Sequence, residues 1–152
     1  MSTDHEAFIK RLLTSLNESK YDEYEKLLTE DYVEEYPQSG EVIRGPKNSR
    51  AIREQYPGGA LQDRIETAGA RVAATEARWL RTPTFTFVRV EGTGNAGAAS
   101  LRTRYPDGSR WWIVLFYELR GDRLARGTFY FAPEFEAPEW RKPYRENESA
   151  RP

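Results

Sequence analysis

The side chains best able to move a proton lie in one short stretch: Glu30, Asp31, Glu34, Glu35 and Glu41. Most of them read as a solvated helix end and loop. Glu35 stands apart, because it precedes Pro37 and a Gln38-Ser39-Gly40 turn and sits among bulky aromatics. A carboxyl desolvated there would have a raised pKa and could act as a general base. The competing reading makes Glu35 the ion-pair partner of an arginine such as Arg44, which is the commoner fate of such a residue.

Other chemistries are closed by residue type. The chain of 152 residues has no cysteine, so no disulfide, thiolate metal site or cysteine nucleophile can exist. Its single histidine, His5, is too little for a multi-histidine metal centre, and a Ser-His-Asp triad would have to be built around it. No metal and no organic cofactor is expected. Basic and acidic residues balance at 23 against 24, which leaves no net field to attract nucleic acid or an anionic membrane. No apolar run is long enough to span a bilayer, and the first residues are polar and acidic, so the expected location is cytoplasmic.

Two motifs invite stronger readings than their context allows. Gly92-Thr93-Gly94-Asn95-Ala96-Gly97 matches the glycine pattern of a dinucleotide fingerprint. Such a site needs a helix to follow, whereas residues 98–105 alternate as a strand does, so the stretch reads as a hairpin loop. Arg102, Arg104 and Arg110 lie near aromatics, yet alternating arginines on a strand usually form its wet side.

The elements that must position these residues follow from periodicity. Phe8, Ile9, Leu12, Leu13 and Leu16 form one helical stripe, with Thr3 and Glu6 spaced as a capping box. Ser19 and Asp22 suggest a second box, opening a shorter helix that carries Tyr21, Tyr24, Leu27 and Leu28. An extended stretch follows, with Tyr32, Glu34 and Tyr36 on one side and Val33 and Glu35 on the other. Gly45-Pro46 opens a third helix, closed at Tyr56-Pro57-Gly58-Gly59. Strands are expected near 65–73, 84–91, 98–105, 110–119 and 124–131, the last three joined by tight turns at Pro106-Asp107-Gly108 and Arg120-Gly121-Asp122. Helices followed by antiparallel strands make an α+β fold. One domain spans residues 1–141. Its final part, 132–140, should pack as an extended arm, and 142–152 form a polar tail.

The run Trp111-Trp112-Ile113-Val114-Leu115-Phe116-Tyr117 is apolar on both faces, so both need cover. The helices can supply one cover, and the C-terminal arm or a second subunit the other. The chain carries 7 Phe, 9 Tyr and 4 Trp. A closed core rich in tyrosines needs a partner for every hydroxyl, whereas a cavity can leave them facing a ligand.

This order of elements, together with Glu35-Tyr36-Pro37-Gln38-Ser39-Gly40-Glu41-Val42-Ile43-Arg44-Gly45, Tyr56-Pro57-Gly58, Tyr105-Pro106-Asp107-Gly108-Ser109 and Tyr130-Phe131-Ala132-Pro133-Glu134-Phe135-Glu136-Ala137-Pro138-Glu139-Trp140-Arg141, resembles the nuclear transport factor 2-like (NTF2-like) superfamily. Within it, the chain looks like the SnoaL-like group of small bacterial proteins. The resemblance implies a cystatin-like, cone-shaped α+β fold, with three N-terminal helices packed on a strongly curved, mainly antiparallel sheet that encloses an apolar cavity. It also implies a homodimer through the sheet's other face.

Known chemistries of the superfamily do not transfer residue by residue. The oxyanion-hole tyrosine and aspartate of the ketosteroid isomerase members fall on Leu12 and about Leu115, and their base on Tyr36 or Glu35. The aspartate of the polyketide cyclase members lands near Phe129, in a strand without an acid. The Asp-Arg-Asp set of limonene-epoxide-hydrolase-like members cannot be assembled from Arg102, Arg104 and Asp107. What the resemblance leaves is a pocket for a small hydrophobic molecule, with Gln38, Tyr56, Trp111, Ile113, Leu115, Tyr117 and Phe129 as its lining. Any cofactor-independent acid/base catalysis, of isomerase, cyclase or hydrolase type, would use Glu35 for proton transfer and Tyr36 or Gln38 to polarise the substrate. The alternative is a dimeric, non-enzymatic interaction module with a vestigial pocket.

Overall fold

The computed structural model describes residues 4–56 and 84–146. Helix α1 (His5–Asn17) and a short α2 (Tyr21–Lys26) lead into β1 (Leu28–Tyr36) and β2 (Glu41–Arg44), followed by α3 (Pro46–Glu54). Four long strands come next: β3 (Thr84–Thr93), β4 (Ala96–Arg104), β5 (Arg110–Arg120) and β6 (Arg123–Pro133). They form one curled six-stranded sheet in the order β2-β1-β6-β5-β4-β3, antiparallel except for β1 against β6. The α+β class and the run of long hairpins are those expected. The strand expected near 65–73 lies outside the described residues, as do Thr3 and Pro57-Gly58-Gly59.

The apolar stripe of α1 is fully buried against the sheet. Its cap is Asp4, whose carboxylate accepts from the Ala7 N–H at 2.9 Å and satisfies one orphan donor of the first turn. Both ends of α1 are pinned to the far hairpin. At the end, Asn17 bonds both backbone groups of Phe85 at 2.8 Å, acting like an extra strand residue on the sheet edge. At the start, His5 Nε2 lies 3.1 Å from the Gly94 carbonyl and Nδ1 lies 2.8 Å from the Tyr117 hydroxyl. A carbonyl can only accept, so Nε2 carries the proton, and in the neutral imidazole Nδ1 accepts from the tyrosine.

This contact explains two glycines of the fingerprint-like motif. Gly92 and Gly97 face each other across the β3–β4 hairpin. A Cβ at Gly92 would overlap the His5 ring, and one at Gly97 would overlap the Tyr117 ring. Their role is close approach of aromatic rings, not of a pyrophosphate.

The second helix departs from expectation. Ser19 adopts a left-handed φ of 55° and caps nothing; α2 starts after Lys20, with no side-chain cap. The helix ends at Lys26, so Leu28 opens β1 instead of closing α2. Pro46 does occupy the first turn of α3, where its missing N–H leaves no bond unmade.

Along β5, Ile113, Leu115, Tyr117 and Leu119 are buried under the helices, while Val114 and Phe116 are exposed on the outer face. Arg102, expected on a wet strand face, is buried on that outer side. It pairs with Glu134 at the start of the C-terminal arm and lies 5.3 Å from the Trp112 ring centroid. Beyond Glu134 the arm does not pack as expected. It becomes a 3-10 helix over Glu139–Tyr144, and Phe135, Trp140 and Tyr144 stay exposed. Among the described residues no helix is long and apolar enough to cross a membrane.

Candidate functional site

Between the helices and the inner face of the sheet lies a cavity of about 200 Å³. Its floor is β4–β6, through Leu101, Ile113, Leu115, Leu124, Phe129 and Phe131. Leu12, Leu13 and Leu16 of α1 close one side. Tyr21 and Tyr24 of α2, with Ile52 and Arg53 of α3, close the other. Tyr56, Tyr105 and Phe85 complete the lining, and Tyr36 reaches in from the end of β1. Straight helices cannot follow a curled sheet into its deepest part, and the side chains supplied here are short leucines. That is why space remains.

One wall is polar, and it is built on an ion pair. Strand alternation turns Tyr32, Glu34 and Tyr36 inward, so β1 carries a carboxylate into the interior with no exposure to solvent. Arg53 of α3 meets it in a fork, Nη1 to Oε1 and Nη2 to Oε2, each at 3.0 Å. Arg53 also donates to the Ser49 hydroxyl at 2.9 Å and carbonyl at 2.8 Å, and lies 4.9 Å from the centroid of the Tyr24 ring. Tyr36 donates to Glu34 Oε2 at 3.1 Å, and Tyr24 shares a 2.7 Å bond with Ser49.

Burial by itself would raise the Glu34 pKa. The Arg53 charge, with hydrogen bonds from Arg53, Ser49 and Tyr36, outweighs burial and holds the carboxyl below the ordinary carboxylate range. Burial pushes the Tyr24 hydroxyl up to about 12 and raises Tyr36 as well. At neutral pH the wall therefore holds one carboxylate, one guanidinium and neutral phenols. Its charges cancel internally, and Glu34 is a weaker base than a free glutamate. Such a wall can orient a polar group by hydrogen bonding; a proton would have to be drawn from a carboxyl already committed to Arg53.

Five of the nine expected site residues border this cavity: Tyr36, Tyr56, Ile113, Leu115 and Phe129. The structure does not bring Glu35 to it. Alternation puts Glu35 on the outer face of β1, where it pairs with Arg126, an arginine other than the Arg44 considered from sequence. Gln38 is exposed and bonds both backbone groups of Phe131, at 2.8 and 2.6 Å, which ties the β1–β2 turn to the end of β6. Tyr117 is engaged with His5 away from the lining, and Trp111 faces a neighbouring groove. Glu34 and Arg53 were missed. The signal for Glu34 was present, since it shares a strand face with two tyrosines. Nothing in the sequence marks Arg53 as its partner. Among the described residues no group of three His, Cys, Asp or Glu is arranged to hold a metal ion.

The sequence matches no family model, and no curated protein matches it. Solved structures do match. An NTF2-like protein of unknown function from Burkholderia xenovorans is 24% identical, with 95% of this chain and 94% of that one covered, at a TM-score of 0.72. A candidate ketosteroid isomerase from Kribbella flavida is 24% identical over 97% of this chain and 94% of its own, at 0.71. A limonene-epoxide-hydrolase-like (LEH-like) epoxide hydrolase from M. tuberculosis is 16% identical over 82% and 80%, at 0.55. The chain has the NTF2-like, cone-shaped α+β fold.

The buried pair generates a test. Replacing Glu34 by Gln leaves Arg53 charged and uncompensated, which should lower unfolding free energy at pH 7 by about 3–5 kcal/mol. The depressed folded-state pKa means that the unfolded chain binds the extra proton. Glu34's contribution is therefore complete above its unfolded value of about 4.3 and is lost as pH falls through the folded value. Urea unfolding from pH 7 down to acid should show the wild type losing this increment while Glu34→Gln stays flatter. Equal stability of the two proteins at pH 7 would show that the pair does not hold the wall.

Proposed function

We propose that this NTF2-like chain binds a small, predominantly apolar molecule in the cavity beneath α1 and α3, oriented by the Tyr36–Glu34–Arg53 wall. One observation carries the reading: an interior hollow of about 200 Å³ with leucine and aromatic sides and a single hydrogen-bonding wall. That is the usual composition of a small-molecule site, apolar for affinity with a few polar groups for orientation. The Tyr36 hydroxyl gives its proton to Glu34, so its oxygen is available to accept from a ligand hydroxyl or amide. Orientation by this wall, without a metal or organic cofactor, is the role we assign. Proton transfer by Glu35 is not part of it, because Glu35 lies on the far side of the sheet. A place among the SnoaL-like proteins rests on the sequence motifs given above.

A second copy of the chain is the partner we assign to the outer sheet face. Val114, Phe116 and Tyr130 are exposed large apolar side chains there, with Phe116 and Tyr130 packed edge to face at 6.1 Å. An apolar row at the centre of a sheet face, ringed by the Arg126–Glu35 and Arg89–Glu91 pairs, has the layout of an interface core with a polar rim.

Two measurements check these assignments. Leu115→Trp extends a buried side chain into the hollow. Titration with hexanol, octanol and decanone, followed by NMR, should show saturable binding to the wild type and at least about tenfold weaker binding to the variant, the loss of a well-filled apolar contact. No binding of any of the three to the wild type would remove the pocket reading. For the outer face, sedimentation should show a wild-type dimer and a folded monomer for Phe116→Arg. A monomeric wild type would remove the second copy.

A further inference from the structure

The cavity has a neighbour. Tyr56, Tyr105 and Phe131 line both it and an open groove of about 390 Å³ whose other residues are Asp107, Ser109 and Trp111. The two spaces thus share a wall of three aromatic side chains, and the groove is the more open of the two.

The groove is aromatic and acidic together. Tyr56 and Tyr105 stack at 5.7 Å with an interplanar angle of 21°, and Trp111 meets Tyr105 at 6.0 Å in an edge arrangement of 87°. A chain of bonds fixes the acid relative to these rings. Trp111 Nε1 donates to the Ser109 hydroxyl at 3.1 Å, while the Ser109 N–H and hydroxyl donate to Asp107 at 2.8 and 2.6 Å. Both donations fall on Oδ1, and no described lysine or arginine pairs with Asp107. The Ser109 bonds hold its carboxyl below the usual carboxylate range, so it is ionised at neutral pH. Its charge is felt by both tyrosines, whose hydroxyls are raised first by burial; Asp107 comes next for Tyr56, and for Tyr105, raised to about 12, it follows Tyr56.

We infer that this groove is a subsite for an organic cation: it receives the alkylammonium head of a ligand whose apolar body occupies the cavity. Aromatic faces attract a cation through their quadrupole, and a quaternary ammonium, being large and weakly hydrated, gains most from such surroundings. An ionised carboxylate beside the rings adds charge complementarity and opposes an anionic head. The opposite, inner wall carries no net charge to repel it, because Arg53 is neutralised by Glu34. The inference rests on the reading of the cavity as a ligand pocket and adds the class of head group.

Calorimetric titration with three hexyl compounds separates the two claims. Hexyltrimethylammonium should bind the wild type about tenfold more tightly than hexanol, the scale of a partly desolvated cation–π contact, and hexyl sulfate should bind more weakly than hexanol. Asp107→Asn keeps an oxygen for the Ser109 bonds and hence the turn. It should remove the carboxylate's share of the ammonium compound's advantage, leaving that of the rings, and leave hexanol unchanged. Added salt should weaken the ammonium compound on the wild type, a readout that needs no variant. Equal binding of hexanol and hexyltrimethylammonium, or preference for the sulfate, would overturn the cation subsite while leaving the cavity reading standing. Absence of binding by all three would overturn both.

Discussion

A carboxylate brought into an apolar interior must find a counter-charge, and much of the molecule is arranged around that need. Strand alternation brings Glu34 inside between two tyrosines, and among the described residues Arg53 of α3 is the cation that meets it. An unpaired charge in this position would cost several kcal/mol. The pair therefore sets the distance between α3 and β1, and with it the height of the roof above the sheet. Tyr36 and Tyr24 take their orientations from the same cluster, one through Glu34 and the other through Ser49. α1 is held independently, by His5 and Asn17 at opposite ends of the far hairpin. Two anchored walls above a curled sheet leave a hollow that leucines do not fill.

The outside of the sheet follows a different logic. Its central row of Val114, Phe116 and Tyr130 is apolar and exposed among the described residues, whereas its flank is closed by the Arg102–Glu134 pair. Arg102 shows how a buried arginine can be accommodated: a carboxylate meets its charge and an indole lies against its plane. One face of β5 thus serves the interior, and the proposed second copy would account for the apolar residues on the other.

Much of this was legible in the sequence, and the failures have physical causes. The 3.6-residue stripe of α1 is strong because it buries one face, and β4 to β6 are marked off by the tight turns between them. Local capping was less readable. Ser19 looked like a cap but took a left-handed turn, and the four-residue β2 had too little pattern to be seen. At the site, proximity to Pro37 drew attention to Glu35, while alternation with Tyr32 and Tyr36 pointed to Glu34. A one-residue choice on a strand is a choice of face, so the wrong acid went to the wrong side of the sheet. Arg53 was out of reach because pairing across 19 positions depends on how the helix docks, which local pattern does not encode. The motif at Gly92 to Gly97 read correctly as a hairpin, but the reason for its outer glycines, the rings of His5 and Tyr117, needed the fold.

The central claim is that the interior is hollow and dry where the leucines of α1 face the floor of the sheet. Xenon enters apolar cavities and marks them by electron density, since it needs no hydrogen bond and fits voids that water leaves empty. Crystals of the wild-type protein under xenon pressure should show an ordered atom between Leu12, Leu115 and Phe129, or a retained ligand in the same place. Side chains in van der Waals contact across that space, with no xenon bound, would contradict the account.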